Sequence, residues 1–230
     1  MPDERSLRER GLLAPETAAE APNAGAKRAF AGVLREILEE LDATAAPVET
    51  FEAATAGLRR LAEEFRGFPP SPVQAGLGGF SGMETFHDRS PIVGLANPLA
   101  PPARYEQHPD EQCVRGEVEF GKSFEGAPGI VHGGFLAALL DEVMGVVTSY
   151  SGDPGMTSEC TLRYHRPTPI KLPLRFEARF DRREGRKIFV SARLWAGDTL
   201  TVTASGLFIA VDRSRFAEFE VERSKRLGER

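Results

Sequence analysis

The chain has 230 residues, 41% of them hydrophobic and 27% charged, and a net charge of −5. That balance belongs to a soluble globular protein with room for one substantial domain and an appendage, and the negative sign gives a nucleic-acid role no support. The two cysteines, Cys113 and Cys160, argue against a disulfide framework and fit a reducing, cytoplasmic setting.

The chain opens on MPDERSLRER, which lacks the apolar core of a signal peptide. Residues 1–26 are rich in Ala, Pro, Glu and Arg without a sustained period, and are expected to be disordered. From Lys27 to Asp42, Phe30, Val33, Leu34, Ile37, Leu38 and Leu41 recur at spacings of three and four. That predicts an amphipathic helix whose apolar stripe packs on the main domain or a partner chain. Pro47 opens a second helix with Phe51, Leu58, Leu61 and Phe65 on a weaker stripe, and Gly67 and Pro69 stop it. The charged faces, including Glu36, Glu39 and Glu40, are expected to be solvated. Together the two helices make an N-terminal helical extension over 27–68. A Gly- and Pro-rich linker follows over 69–89, and its AGLGGF at Gly76 to Gly79 is a weak nucleotide motif because no long helix succeeds it.

Pro91 to Leu95 reads as an edge strand, whereas NPLAPP, with three prolines, cannot be a central one. Cys113 to Phe120 alternates Val114, Gly116, Val118 and Phe120 against Arg115, Glu117 and Glu119, the pattern of a half-buried strand. Then comes EGAPGIVHGGFLAALLDEVMGVVTSY, a Gly/Pro turn that becomes a long apolar helix. Asp141 and Glu142 interrupt this longest apolar run, and a spanning helix needs ~20 apolar residues, so no membrane segment is expected. Four strands follow. Met156 to Arg166 alternates Met156, Ser158, Cys160, Leu162 and Tyr164 against Thr157, Glu159, Thr161, Arg163 and His165. Leu174 to Asp181 alternates likewise, a turn at Arg183 to Gly185 leads to Ile188 to Leu194, and a turn at Gly197-Asp198 leads to Thr199 to Val211. Two tight turns imply an antiparallel meander. The basic residues about the first turn, Arg182, Arg183, Arg186 and Lys187, are expected to be solvated, and 213–230 is a charged helix or tail. One buried helix with a run of long antiparallel strands gives an α+β architecture in which a curved sheet wraps the helix.

On that helix Phe135, Leu136, Leu139, Leu140, Val143, Met144, Val146 and Val147 fill one arc of about 180° and are the expected core. Asp141 lies off the arc, among Ala137, Ala138 and Gly145. A carboxylate in a lane of small residues suits either chemistry or a subunit seam. At the helix mouth, His132, Gly133 and Gly134 stand where backbone N–H groups have no intrahelical partner. Two glycines there leave room for a carbonyl to approach amides at the positive end of the helix dipole. Nine residues rotate the helix by about 180° and advance it by about 13 Å, so His132 and Asp141 cannot meet on one face. A site that uses both takes them from two copies of the chain. There is no G-x-S-x-G elbow. The four histidines, His87, His108, His132 and His165, show neither H-E-x-x-H nor a close pair, so no metal or other cofactor is expected.

Three stretches, GAPGIVHGGFLAALLD from Gly126 to Asp141, TSECTLRYHRPTP from Thr157 to Pro169, and the strands ending in SGLFIAVD, resemble the hotdog-fold acyl-CoA thioesterases, the PaaI-like branch of the 4-hydroxybenzoyl-CoA thioesterase superfamily. The resemblance covers about residues 90–212 and leaves the N-terminal helices outside it. It implies a hotdog domain over 90–212, homodimers whose sheets join, and homotetramers as dimers of dimers. It implies hydrolysis of an acyl-CoA, or of an acyl-carrier thioester, with Asp141 as general base or nucleophile. The Gly133 N–H is implied as oxyanion donor, His132 as the residue shaping its loop, and Thr157 as a hydroxyl that helps place water. Gly134, Gly126 and Ser158 are implied beside the substrate. At Gly126 some relatives carry an Asn, so a side-chain donor there is missing from this chain. Two other readings stand beside hydrolysis. One is a non-hydrolytic acyl-thioester-binding or scaffolding protein on the same fold. The other is a hotdog hydratase or dehydratase, for which a matched His and acid pair is lacking.

Overall fold

The computed structural model describes residues 23–41, 43–69 and 88–212, with scattered helical positions between 215 and 226. The expectations for residues 1–22, for most of the 69–89 linker including AGLGGF, and for most of the tail lie outside the described residues. Two helices, α1 (Ala24–Leu41) and α2 (Val48–Arg66), precede β1 (Arg104–His108) and β2 (Cys113–Val118). Then come α3 (Gly133–Val147), β3 (Gly155–Tyr164), β4 (Leu174–Glu184), β5 (Lys187–Ala196) and β6 (Thr199–Ala210).

The strands form one six-stranded sheet in the order β1-β2-β4-β5-β6-β3, and every neighbouring pair is antiparallel. The β4–β5 and β5–β6 hairpins close on two residues each, between Glu184 and Lys187 and between Ala196 and Thr199. Their first turn residues, Gly185 and Gly197, have φ of 60° and 57°, a conformation that side chains disfavour. The sheet curves around α3, which is the hotdog arrangement, and α3 buries Leu136, Leu139, Leu140, Val143, Met144 and Val147 against it. Opposite them stand Val114, Val118, Leu174, Phe176, Ala178, Ile188, Val190 and Leu194, all at most 2% exposed. Each fully buried Leu or Phe contributes about 1.5–3 kcal/mol of transfer free energy. One member of the expected arc departs from it: Phe135 is 38% exposed and rests edge-on against Phe124, with ring centroids 4.9 Å apart.

Two expectations before β2 are corrected. Pro91 to Leu95 is not an edge strand. Pro91 has no N–H to offer a ladder, and the segment folds back as turns, with the Gly94 N–H on the Ser90 carbonyl at 3.0 Å and the Ile92 and Val93 N–H groups on Ser90 Oγ. The edge belongs instead to β1, RYEQH, whose sequence shows no apolar alternation. Its ladder with β2, from Arg104 opposite Glu117 to His108 opposite Cys113, holds it there.

Within the single chain the N-terminal extension does not lay its apolar stripe on the main domain, the first of its two expected packings. Helix α1 turns Ala24, Arg28, Ala31, Arg35 and Glu39 toward the body, and Ala24 and Ala31 are buried. The stripe of Phe30, Val33, Ile37, Leu38 and Leu41 faces away and is 37–52% exposed. Polar anchors decide the orientation. Arg28 makes a charged pair with Asp88 at 2.8 Å. Arg35 donates to the carbonyls of Ala100, Gly94, Leu95 and Asn97, and burial among them pushes its pKa down. Helix α2 buries none of its residues and meets α1 through an edge-on Phe30–Phe65 pair at 5.5 Å.

Gly116 of β2 marks a tight crossing. A Cβ there would lie 2.3 Å from the Arg104 carbonyl oxygen, 2.5 Å from Phe176 Cζ and 2.6 Å from Tyr105 Cβ. Gly116→Ala is therefore expected to destabilise the fold by about 1–3 kcal/mol, read as a lowered denaturant midpoint with an unchanged slope. An unchanged midpoint would contradict the crossing.

Candidate active site

Helix α3 and strand β3 carry the candidate residues, and two hydrogen bonds latch these elements together. Thr157 Oγ1 donates to Asp141 Oδ1 at 3.0 Å, and Tyr164 Oη donates to the Gly133 carbonyl at 2.9 Å. Strict alternation along β3 puts Thr157 on the face opposite Cys160, Leu162 and Tyr164. The register with β6 slips between Thr157 and Glu159, so a bulge at Ser158 inserts one residue and turns Thr157 to the α3 side. Bulges re-aim side chains in this way. Cys160 and Leu162 pack against the core from the same strand. The Cys160 thiol is pushed up by burial and then by the Asp141 carboxylate, which makes it a poor nucleophile.

At the other end of α3, His132 is the N-cap, and its Nδ1 accepts the Gly134 N–H at 3.1 Å. That bond places the imidazole proton on Nε2. It also consumes one of the two amides expected to be open, so the Gly133 N–H is the one without a partner among the described residues. The loop before it is closely tied. The Gly126 N–H reaches the Ile130 carbonyl at 2.9 Å, the Val131 N–H reaches the Thr168 carbonyl at 2.8 Å, and the His132 N–H reaches the Phe124 carbonyl at 2.9 Å. A Cβ at Gly126 would lie 3.0 Å from the His132 Cα, so the chain packs its own backbone where a side-chain donor would otherwise stand.

The structure thus brings Asp141 and Thr157 together, and groups His132, Gly133, Gly134 and Gly126 at the far end of the helix. Ser158 sits at the bulge, exposed. Asp141 stands eight residues after Gly133 on the helix, about 12 Å of rise. Among the described residues no cluster of His, Cys, Asp or Glu could hold a metal, and no helix is long and apolar enough to cross a membrane.

Residues 128–203, which contain His132, Gly133, Gly134, Asp141, Thr157 and Tyr164 but neither Phe124 nor Gly126, match the family model of the thioesterase superfamily. The match marks out a domain similar to the thioesterase superfamily. That domain is similar to acyl-coenzyme A thioesterase THEM4 of Bos taurus, 35% identical over 94 residues, which are 40% of this chain and 38% of that protein. It is also similar to acyl-coenzyme A thioesterase THEM5 of Homo sapiens, 31% identical over 91 residues, 39% of this chain and 37% of that protein. The chain therefore matches less than half the length of these curated relatives. The crystal structure of a thioesterase superfamily protein, 28% identical, superposes with a TM-score of 0.69 over 86% of this chain and 97% of its own. Residues 90–230 fall short of that share, so the likeness reaches into the N-terminal helices. The family match itself, over 128–203, leaves those helices outside.

Sequence reasoning missed Tyr164, the second latch, and the pair Ser90–Glu142. Glu142 follows Asp141 on α3 and accepts the Ser90 hydroxyl at 2.8 Å. Burial pushes its carboxyl up, the Asp141 charge adds to this, and the Ser90 bond opposes it. No periodicity marks these partners, because each contact joins segments far apart in the chain. A folded-state pKa above the unfolded value means that protonation favours the fold. The resulting stability is complete below the ordinary carboxylate range and is lost as pH rises through the raised value. Glu142→Gln keeps an acceptor for Ser90 and removes the titration. Chemical denaturation of both proteins from about pH 7 down to about pH 5 should show the wild type gaining on the variant. A difference that does not change with pH would contradict the raised carboxyl.

Proposed function

We propose that this protein hydrolyses an acyl-CoA to the free acid and CoA. The observation that carries the reading is the Asp141 carboxylate, held at 3.0 Å by Thr157, inside the segment that matches the thioesterase superfamily. The relatives named as acyl-coenzyme A thioesterases support the choice of substrate. Thr157 engages Oδ1 and leaves Oδ2 to take a proton from water as the water attacks the thioester carbonyl. The developing oxyanion accepts the Gly133 N–H, a donor backed by the helix dipole. The tetrahedral intermediate then expels the thiolate. A thiol with a pKa of about 8.5 leaves without a strong general acid, so one carboxylate and one amide suffice. Direct attack by Asp141 on the carbonyl uses the same groups. His132 fixes the donor loop, and half-exposed Phe135, edge-on against Phe124, offers an apolar wall beside it.

Because Gly133 and Asp141 lie about 12 Å apart along one helix, the reading places each site between two chains, with Asp141 and Thr157 from one and Gly133 from the other. Strand β3 ends the sheet and leaves its outer edge without a strand partner among the described residues, and such an edge is a template for pairing. We take the protein as a homodimer joined there, with dimers of dimers as the higher assembly. The two free cysteines support a cytoplasmic setting.

The test is release of free thiol from short, long and aromatic acyl-CoAs, with an acyl-carrier thioester alongside. Asp141→Ala should lower kcat by roughly 10²-fold or more, and Thr157→Ala by less. Turnover near wild type in the Asp141 variant would remove it from the mechanism. No release from any substrate by the folded wild type would favour an acyl-thioester-binding protein.

A further inference from the structure

The N-terminal extension reaches the donor loop through one side chain. Glu39, on the docked face of α1, accepts the Ser123 N–H at 3.1 Å and the Ser123 hydroxyl at 3.3 Å through Oε1. Its Oε2 lies 3.6 Å from Lys171 Nζ. The approach depends on Gly121, where a Cβ would stand 2.1 Å from Glu39 Oε1. Sequence reasoning assigned Glu39 to solvent. In the structure its side chain is 27% exposed. Partial burial pushes its carboxyl up, but the Lys122 and Ser123 amides and the Lys171 ammonium outweigh this and hold it below the usual range.

Glu39 touches both strands of backbone that frame the donor. Ser123 lies in the single turn Lys122–Phe124. The next carbonyl, that of Phe124, holds the His132 N–H at 2.9 Å, and the Phe124 ring packs on Phe135 of the first turn of α3. His132 in turn caps Gly134. On the other side, Lys171 adopts a left-handed φ of 54°, unusual for a side chain of its size, and its N–H is bound to the Phe120 carbonyl at 2.8 Å. The Ile170 N–H reaches the Gly129 carbonyl at 3.1 Å. Arg28 and Arg35 fix α1 on the 88–100 segment and so determine where Glu39 falls.

We propose that Glu39 is a positioning residue for the thioesterase site, holding the 121–134 loop so that the Gly133 N–H meets the oxyanion. The inference rests on the hydrolytic reading above. A partly exposed carboxylate of this kind contributes little to global stability, whereas a small misplacement of a donor has a large effect on rate. Positioning and stability therefore separate experimentally.

The experiment compares the full-length wild type with Glu39→Ala, Glu39→Asp, Glu39→Gln and, as a control on the exposed face of α1, Glu36→Ala. Glu39→Asp keeps the charge but falls short of Ser123, and Glu39→Gln keeps the reach and an acceptor oxygen. Thiol release from the best acyl-CoA should show kcat lowered about tenfold in the Ala and Asp variants, with KM within about twofold and the melting temperature nearly unchanged. The Gln variant should recover most of the rate, and Glu36→Ala should match wild type. Amide hydrogen exchange over residues 121–134 should speed up in Glu39→Ala and Glu39→Asp alone. Wild-type kcat in Glu39→Ala overturns the proposal. So does a kcat loss matched by a lowered melting temperature, or one shared by Glu36→Ala. If the wild type releases no thiol, the hydrolytic reading fails and exchange alone decides. Faster exchange confined to the Ala and Asp variants then upholds positioning of the loop, and unchanged exchange overturns it.

Discussion

The contact of α3 with the edge strand β3 sets the geometry of the candidate site. Two side-chain hydrogen bonds hold it, Thr157 to the Asp141 carboxylate and Tyr164 to the Gly133 carbonyl. Between them the helix buries its apolar arc under the sheet, so neither end can shift without disturbing the core. A close-packed interior resists such movement. The acid end and the donor end are therefore fixed relative to one another, about 12 Å apart along the helix. A thioester carbon cannot contact both ends of one helix, and the proposed pairing of two chains follows from that separation.

The N-terminal extension shows how polar anchoring can override an apolar stripe. Helix α1 docks through Arg28, Arg35 and Glu39, which find a carboxylate, four carbonyls and a serine. The residues it buries fully are small, Ala24 and Ala31. The larger apolar residues remain outward beside α2.

Much of the fold was legible in the sequence. The alternation in β2, β4 and β5, the two glycine turns and the apolar arc of α3 report directly on which side chains face the core, because burial acts on every second or every third and fourth residue. The strand RYEQH was not legible, since an edge strand held by its ladder needs no apolar face. Glu39 was misplaced for a related reason. Helical periodicity ranks faces by hydrophobicity and says nothing of partners supplied by distant segments. Within the site, HGG and Asp141 were visible as types of residue at a spacing. The resemblance, not the pattern, put Thr157 beside Asp141. Strict alternation would have turned it away, and the bulge at Ser158 is a backbone feature that no single residue announces.

The central claim, a site shared between two chains, is tested most directly by mixing two inactive variants. One is Asp141→Ala. The other is Gly133→Pro, which deletes the donor N–H at a first helical position that tolerates proline, after His132, whose φ of −60° and ψ of 128° suit a residue preceding proline. Each alone should be nearly inactive in thiol release. Co-refolded in equal amounts, with mixed dimers verified by native mass spectrometry, they should recover about a quarter of wild-type turnover, because a mixed two-fold dimer keeps one intact site of two. Mixed dimers no more active than their parents would contradict a site that takes Asp141 from one chain and Gly133 from the other.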